Sequence, residues 1–127
     1  MLSHNEVVDV LTAITAGDRR TVGTADVVFW TSALTEGRVT SKADAIAAVV
    51  HHFATSDRWI TPFHVIQGVR QIRDARLDRC PPDRELMAGL DPDMSGAEWA
   101  EHYRRWRKLI ADGMPPAQLR AIAGGLS

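Results

Sequence analysis

The chain has 127 residues, of which 45 % are hydrophobic and 24 % are charged, proportions that are ordinary for one globular domain or a small domain with a tail. Its single cysteine excludes an internal disulfide and is typical of a reducing compartment. No basic N-terminal region precedes an apolar run, and no stretch approaches the roughly 20 apolar residues of a membrane span. We therefore expect a cytoplasmic protein without a signal peptide or a membrane-spanning segment.

The formal net charge of −1 conceals an uneven distribution of charge along the chain. Residues 1–79 carry 9 basic and 9 acidic groups, which cancel. Residues 80–101 carry 1 basic and 6 acidic groups, and residues 102–127 carry 5 basic and 1 acidic group. An acidic block followed by a basic block is more typical of interaction or self-neutralisation than of a core.

The first two predicted helices are marked by local signals at both ends. Ser3 and Glu6 form a capping-box pattern, and Gly17 is the expected stop of the helix that follows. The apolar face of this helix consists of Val7, Val10, Leu11 and Ile14. Thr24 is the expected cap of a second helix that ends near Gly37 and carries Val27, Phe29, Trp30 and Leu34.

Two further helices follow before the chain changes character. Ser41, with Asp44 three residues later, predicts the start of the third helix, in which Ile46, Val49, Val50 and Phe53 point inward. Thr61-Pro62 predicts the start of the fourth, whose stripe is Val65, Ile66, Val69 and Ile72. Strand signals are weak, so residues 1–79 are predicted to form a compact all-α four-helix bundle.

The stripe of the fourth helix turns from apolar to basic after Ile72, since Arg76 and Arg79 fall close to it and Arg73 lies beside them. One interpretation is that the last turns overhang the core and expose these arginines to a partner. The other is that they complement the negative end of the helix dipole.

The break at Cys80-Pro81-Pro82 opens a Pro/Asp-rich hinge predicted over residues 80–94, with one helical turn at Glu85–Ala88. Ser95 and Glu98 form a second capping-box pattern, which starts a helix to about Ala111 that is closed by Gly113. A short final helix is expected around Ala117–Ala123. Residues 95–127 are thus predicted to be an amphipathic helix and tail.

One stripe of this C-terminal helix is aromatic and is the best functional candidate in the sequence. It consists of Trp99, Tyr103, Trp106 and Ile110 and spans about 60° of the helix circumference. Arg104 and Lys108, with Glu101, lie on the opposite face, and Arg104, Arg105, Arg107 and Lys108 would supply charge complementarity to a partner. Such a stripe fits a hydrophobic groove on a partner, and equally well the chain's own bundle, whose core is small.

Patterns that carry catalysis or bind a cofactor are not found. His51 and His52 are adjacent, so on a helix they point about 100° apart and do not form a metal pair. The chain has no glycine-rich phosphate loop, nucleophile elbow or Cys-x-x-Cys pattern. We expect neither an enzyme nor a bound metal or cofactor.

A helix-turn-helix is the main alternative, with the helix that begins at Pro62 as recognition helix. Its first turn, Phe63-His64-Val65, is poor in side chains that read bases, and only Gln67 follows. The neutral charge of residues 1–79 also lacks the usual electrostatic footprint of a DNA-binding domain.

Several of these residues resemble the small helicase loaders of tailed phages. The similarity lies in Val27, Trp30 and Leu34, in Asp44-Ala45-Ile46 with His52-Phe53, and in Thr61-Pro62 with Val65-Ile66. It covers roughly residues 3–75, whereas the tail matches the family in layout only, and the loop between Leu34 and Asp44 is longer here.

The resemblance implies a phage or prophage adaptor that loads or inhibits a DnaB-type replicative helicase. It further implies that the C-terminal region contacts the helicase and that the helical block contacts the helicase or a replication initiator, with DNA bound only indirectly or weakly. A DNA-binding regulator, or a phage protein that antagonises another host factor, remains the alternative. The oligomeric state is left open.

Overall fold

The protein is described by a computed structural model that covers residues 1–79, 93–115 and 118. These residues contain helices and no strands, which confirms the all-α prediction. The helices are α1 (His4–Asp18), α2 (Thr24–Glu36), α3 (Lys42–Thr55), α4 (Pro62–Asp78) and α5 (Gly96–Ala111).

Side-chain caps explain where the first helices begin. Ser3 and Glu6 form the predicted capping box, with bonds of 3.2 Å from the Glu6 N–H to Ser3 Oγ and 3.0 Å from the Ser3 N–H to Glu6 Oε1. Ser41 caps α3 by accepting the Asp44 N–H at 3.1 Å. At α2 the structure differs from expectation, because Gly23 is the N-cap and its N–H donates to the Asp26 carboxylate at 2.8 Å.

Gly17 does not end α1 as predicted but lies within it. The helix continues to Asp18, and Arg19 adopts the left-handed conformation at φ 57°. A Cβ added at Gly17 would lie 2.5 Å from Cε2 of Phe53, so the glycine permits close packing of α1 against the Phe53 ring.

The core of the first four helices follows the predicted stripes with two exceptions. Its buried residues are Leu2, Val7, Val10, Leu11, Ile14, Val27, Trp30, Leu34, Val39, Ala45, Ala48, Val49, Ile60, Val65 and Val69. Val50, predicted to point inward, is 61 % exposed, and Phe29, one of the apolar residues assigned to the second helix, is 63 % exposed. Each lies one residue, or about 100°, from a buried neighbour, Val49 and Trp30 respectively.

The chain divides into two compact units, Met1–Ile72 and Arg73–Ser127, so the last turns of α4 are grouped with α5. The predicted break at Cys80, nearly all of the predicted hinge and the predicted turn at Glu85–Ala88 lie outside the described residues, as does the predicted short helix at Ala117–Ala123 apart from residue 118. Within the described ranges, no helix has the length and apolar character needed to cross a bilayer.

Candidate functional site

The predicted C-terminal helix is present as α5, and its ends have clear local causes. Ser95 caps it by accepting the Glu98 N–H at 3.2 Å. At the other end the Gly113 N–H bonds to the Ile110 carbonyl at 3.0 Å, and Gly113 has φ 105°, a conformation that favours glycine. The Ser95 and Gly113 signals in the sequence therefore set both ends of the helix.

The C-terminal half of the aromatic stripe is buried within the chain's second unit. Trp106 is 7 % exposed and Ile110 is 3 % exposed. They pack with Leu77 of α4 and with Tyr103, Leu109 and Met114. These two side chains therefore stabilise the fold of the second unit, and they are not exposed for a partner in this conformation.

In the N-terminal half of the stripe, Trp99 is exposed and Tyr103 is half-buried. Trp99 is 42 % exposed and stacks on Tyr103, with ring centroids 5.2 Å apart and an interplanar angle of 8°. The Arg107 guanidinium lies over the Tyr103 ring at 5.5 Å, and its Nη1 donates to the Tyr103 hydroxyl at 3.3 Å. We call Trp99, Tyr103 and Arg107 the aromatic row; its members contact one another by stacking and by a cation–π interaction.

The remaining basic residues of α5 lie on other faces of the helix than this row. Arg104 and Lys108 are exposed. Arg105 lies 3.6 Å from Glu101, but both side chains are more than half exposed, so this ion pair contributes little to stability. The charge on these side chains is available to a negatively charged partner.

The arginines at the end of α4 do not form the free patch that one interpretation of the sequence suggested. Arg73 forms an ion pair with Asp112, and Arg76 Nη1 donates to the Ala111 carbonyl at 2.8 Å. Arg76 thereby satisfies a carbonyl at the end of α5, where cationic side chains are favoured. Arg79 is exposed and borders a small cavity of 170 Å³ beside Met114.

Sequence reasoning missed a further exposed aromatic residue, Trp59. Trp59 precedes α4 and is 60 % exposed, with the Arg20 guanidinium 3.9 Å from its ring. Arg20 is held by an ion pair with Asp18 at 2.5 Å and donates to the Ile60 carbonyl at 2.9 Å. The only signal in the sequence was a tryptophan in a polar loop, since Arg20 and Trp59 are far apart along the chain.

The ionisation of Asp18 is coupled to the neighbouring Arg20. Burial opposes ionisation of the Asp18 carboxyl, but hydrogen bonds from the Arg20 side chain and backbone, together with its charge, outweigh that effect. The pKa of Asp18 therefore lies below its usual value, and the ion pair that positions Arg20 persists at neutral pH.

Among the described residues, no three His, Cys, Asp or Glu side chains come together in a way that suits a metal ion. Comparison with known protein families, with curated proteins and with solved structures finds no match for this chain. Any functional assignment therefore depends on the residues themselves.

Proposed function

We propose that this protein is a non-enzymatic adaptor that binds a DnaB-type replicative helicase, which it loads or holds inactive during phage or prophage replication. The class of partner comes from the resemblance of residues 3–75 to small phage helicase loaders. The contact surface comes from α5, and the observation that carries it is the exposed, stacked side chain of Trp99.

Two physical properties suit the aromatic row to a protein partner. Tryptophan, tyrosine and arginine are the side chains most enriched at binding hot spots. The two aromatic side chains bury large areas at a low cost in conformational entropy. Stacking on Tyr103 restricts the rotation of the Trp99 side chain, so this side chain loses less conformational entropy on binding. Arg104, Arg105 and Lys108 would mainly set the encounter rate and the salt dependence.

The direct test is titration of the full chain against the replicative helicases of the phage and of its host, with ATP present. We expect a complex at micromolar concentration or tighter. Trp99→Ala should weaken it by at least about tenfold, the loss of roughly 1.4 kcal/mol of a hot-spot contact. If neither helicase forms a complex with the wild-type chain, the proposed partner is wrong.

The chain offers a matched control for this substitution. Trp59 is also a tryptophan more than one-third exposed, but it belongs to the other unit. Trp59→Ala should leave helicase affinity within about twofold of wild type, a change of less than 0.5 kcal/mol. If Trp59→Ala weakens binding as much as Trp99→Ala, the aromatic row is not the specific contact surface.

A DNA-binding regulator is the second candidate. Two observations support it. Helices α3 and α4 are joined by the short connection 56–61, as in a helix-turn-helix. Arg58 is exposed on this connection, and Arg70 is exposed on α4. A gel shift that weakens steeply with salt and is lost in Arg70→Ala, but not in Trp99→Ala, would favour this function. Capture of a different host factor, dependent on Trp99, would instead favour an antagonist that uses the same aromatic row.

A further inference from the structure

At the N-terminus of α4 a histidine side chain accepts the N–H of the residue before the helix, whereas α1 and α2 use a carboxylate for this purpose. Thr61 precedes Pro62, the first residue of α4, and its backbone N–H donates to His64 Nδ1 at 3.0 Å. Glu6 occupies the corresponding position at α1 and accepts the Ser3 N–H. His64 therefore takes the role of the Glu or Gln in a capping box, but with a group that titrates near neutral pH.

This hydrogen bond is compatible with only one protonation state of Nδ1. A backbone N–H always donates, so Nδ1 must present its lone pair and the ring must be the neutral tautomer with its proton on Nε2. Protonation would place an N–H of the imidazolium against the N–H of Thr61. The Thr61 hydroxyl, 3.2 Å from Nδ1, could then accept that proton, but the Thr61 N–H would lose its acceptor.

The surroundings of His64 also oppose its protonation. The ring of His52, from α3, lies with its centroid 4.6 Å away, and the His52 Nε2 donates to the Arg58 carbonyl at 2.7 Å. The titratable and charged groups that act on His64 are His52 on α3 and Arg58 in the connection, and both are basic. Burial first, and then these two charges, hold the pKa of His64 below its usual value.

Three side chains, those of His52, Arg20 and His64, hold the connection that carries Trp59. His52 binds the carbonyl of Arg58, Arg20 binds the carbonyl of Ile60, and His64 binds the N–H of Thr61. These bonds lie on both sides of Trp59 along the backbone. Loss of the His64 bond therefore removes one of the anchors that hold residues 58–61 against α3 and α4.

We propose that Thr61 and His64 form a proton-operated latch. The latch is closed when His64 is neutral. When His64 is protonated, the latch opens the start of α4 and frees the connection that presents Trp59. The sign follows from linkage. The folded chain binds this proton less readily than the unfolded chain, so the contribution of the latch to stability is complete above about pH 6.5 and decreases as the pH falls below that value.

The test compares urea unfolding of the wild-type full chain with that of His64→Gln, from about pH 7.5 to about pH 5.5. The glutamine oxygen can accept the Thr61 N–H at every pH, as in an ordinary capping box. As the pH falls, the urea concentration at the midpoint of unfolding should decrease more for the wild type than for His64→Gln. His51→Gln, which removes an exposed neighbouring histidine, should keep the wild-type pH dependence. Identical pH dependence in His64→Gln and wild type would overturn the latch.

A second measurement keeps the proposal testable if the glutamine variant folds poorly. Nitrogen-15 NMR of the wild-type imidazole rings reports the tautomer and the titration of each histidine directly. We expect His64 to carry its proton on Nε2 at neutral pH and to titrate below the ordinary histidine value. A proton on Nδ1 at neutral pH, or titration of His64 at or above pH 6.5, the ordinary histidine value, would contradict the proposal.

Discussion

Gly68 sets how closely α4 approaches α3. A Cβ added at this position would lie 2.6 Å from Cβ and 3.3 Å from Cα of Ala48. The Ala48 backbone cannot rotate away as a long side chain would, so the two helices would have to separate. Small residues on both sides of the contact therefore determine the packing of the core around Val49, Val65 and Val69.

Gly68→Ala should lower the free energy of unfolding by about 1–2 kcal/mol. Overpacking lowers the free energy of unfolding by about 1–3 kcal/mol. The better helix propensity of alanine raises it by only about 0.5–1 kcal/mol, so the net effect is destabilising. Urea unfolding measures the difference, and Gly96→Ala is the control because nothing lies within 4 Å of its added Cβ. Combining Ala48→Gly with Gly68→Ala should give a favourable coupling energy in a double-mutant cycle; no coupling would contradict the proposed contact.

At the scale of residues, the sequence predicted local bonds better than long-range ones. The Ser3–Glu6 box and the Ser41 cap involve groups three residues apart, so their pattern is visible in the chain. The exposure of Phe29 was not predictable, because hydrophobicity alone does not show which of two adjacent apolar residues faces the core. The contact of Arg20 with Trp59 requires the fold itself.

At the scale of elements, α5 combines a structural role and a candidate binding role on one stripe. The sequence predicted the helix, its cap at Ser95 and the aromatic spacing. It left open whether the stripe packs on the chain or on a partner, because both outcomes need the same amphipathic pattern. The position of Leu77 decides this for Trp106 and Ile110, which it helps to bury, whereas Trp99 remains exposed.

The two tryptophans of α5 should respond differently to truncation. Trp106→Ala removes a buried aromatic side chain and should cost about 3–5 kcal/mol of the stability of the second unit. Trp99→Ala removes a partly exposed stacking contact and should cost about 1 kcal/mol or less. Circular dichroism during thermal unfolding of both variants provides the measurement, and equal losses would show that the stripe is not divided as described.

At the scale of the whole molecule, two hydrophobic clusters form with no residue in common among those described. The first includes Val65 and Val69 of α4, and the second is built on Trp106 and Ile110 with Leu77 of α4 beside them. A single helix thus supplies side chains to both clusters. The extent to which the two units stabilise each other depends on how far the helical state of α4 is shared between them.

We predict that the two units unfold in separable steps. Among the described residues, the cluster around Trp106 has fewer buried members than the cluster around Leu11 and Val49, so we expect it to open at a lower free energy. Residue-resolved amide exchange should therefore show weaker protection in α5 than in α1 and α3. Trp106→Ala should reduce protection in α5 and in the last turn of α4 while leaving α1 largely unchanged. Uniform loss of protection across all helices would instead mean that the chain unfolds as one cooperative unit, with α4 transmitting the destabilisation along its whole length.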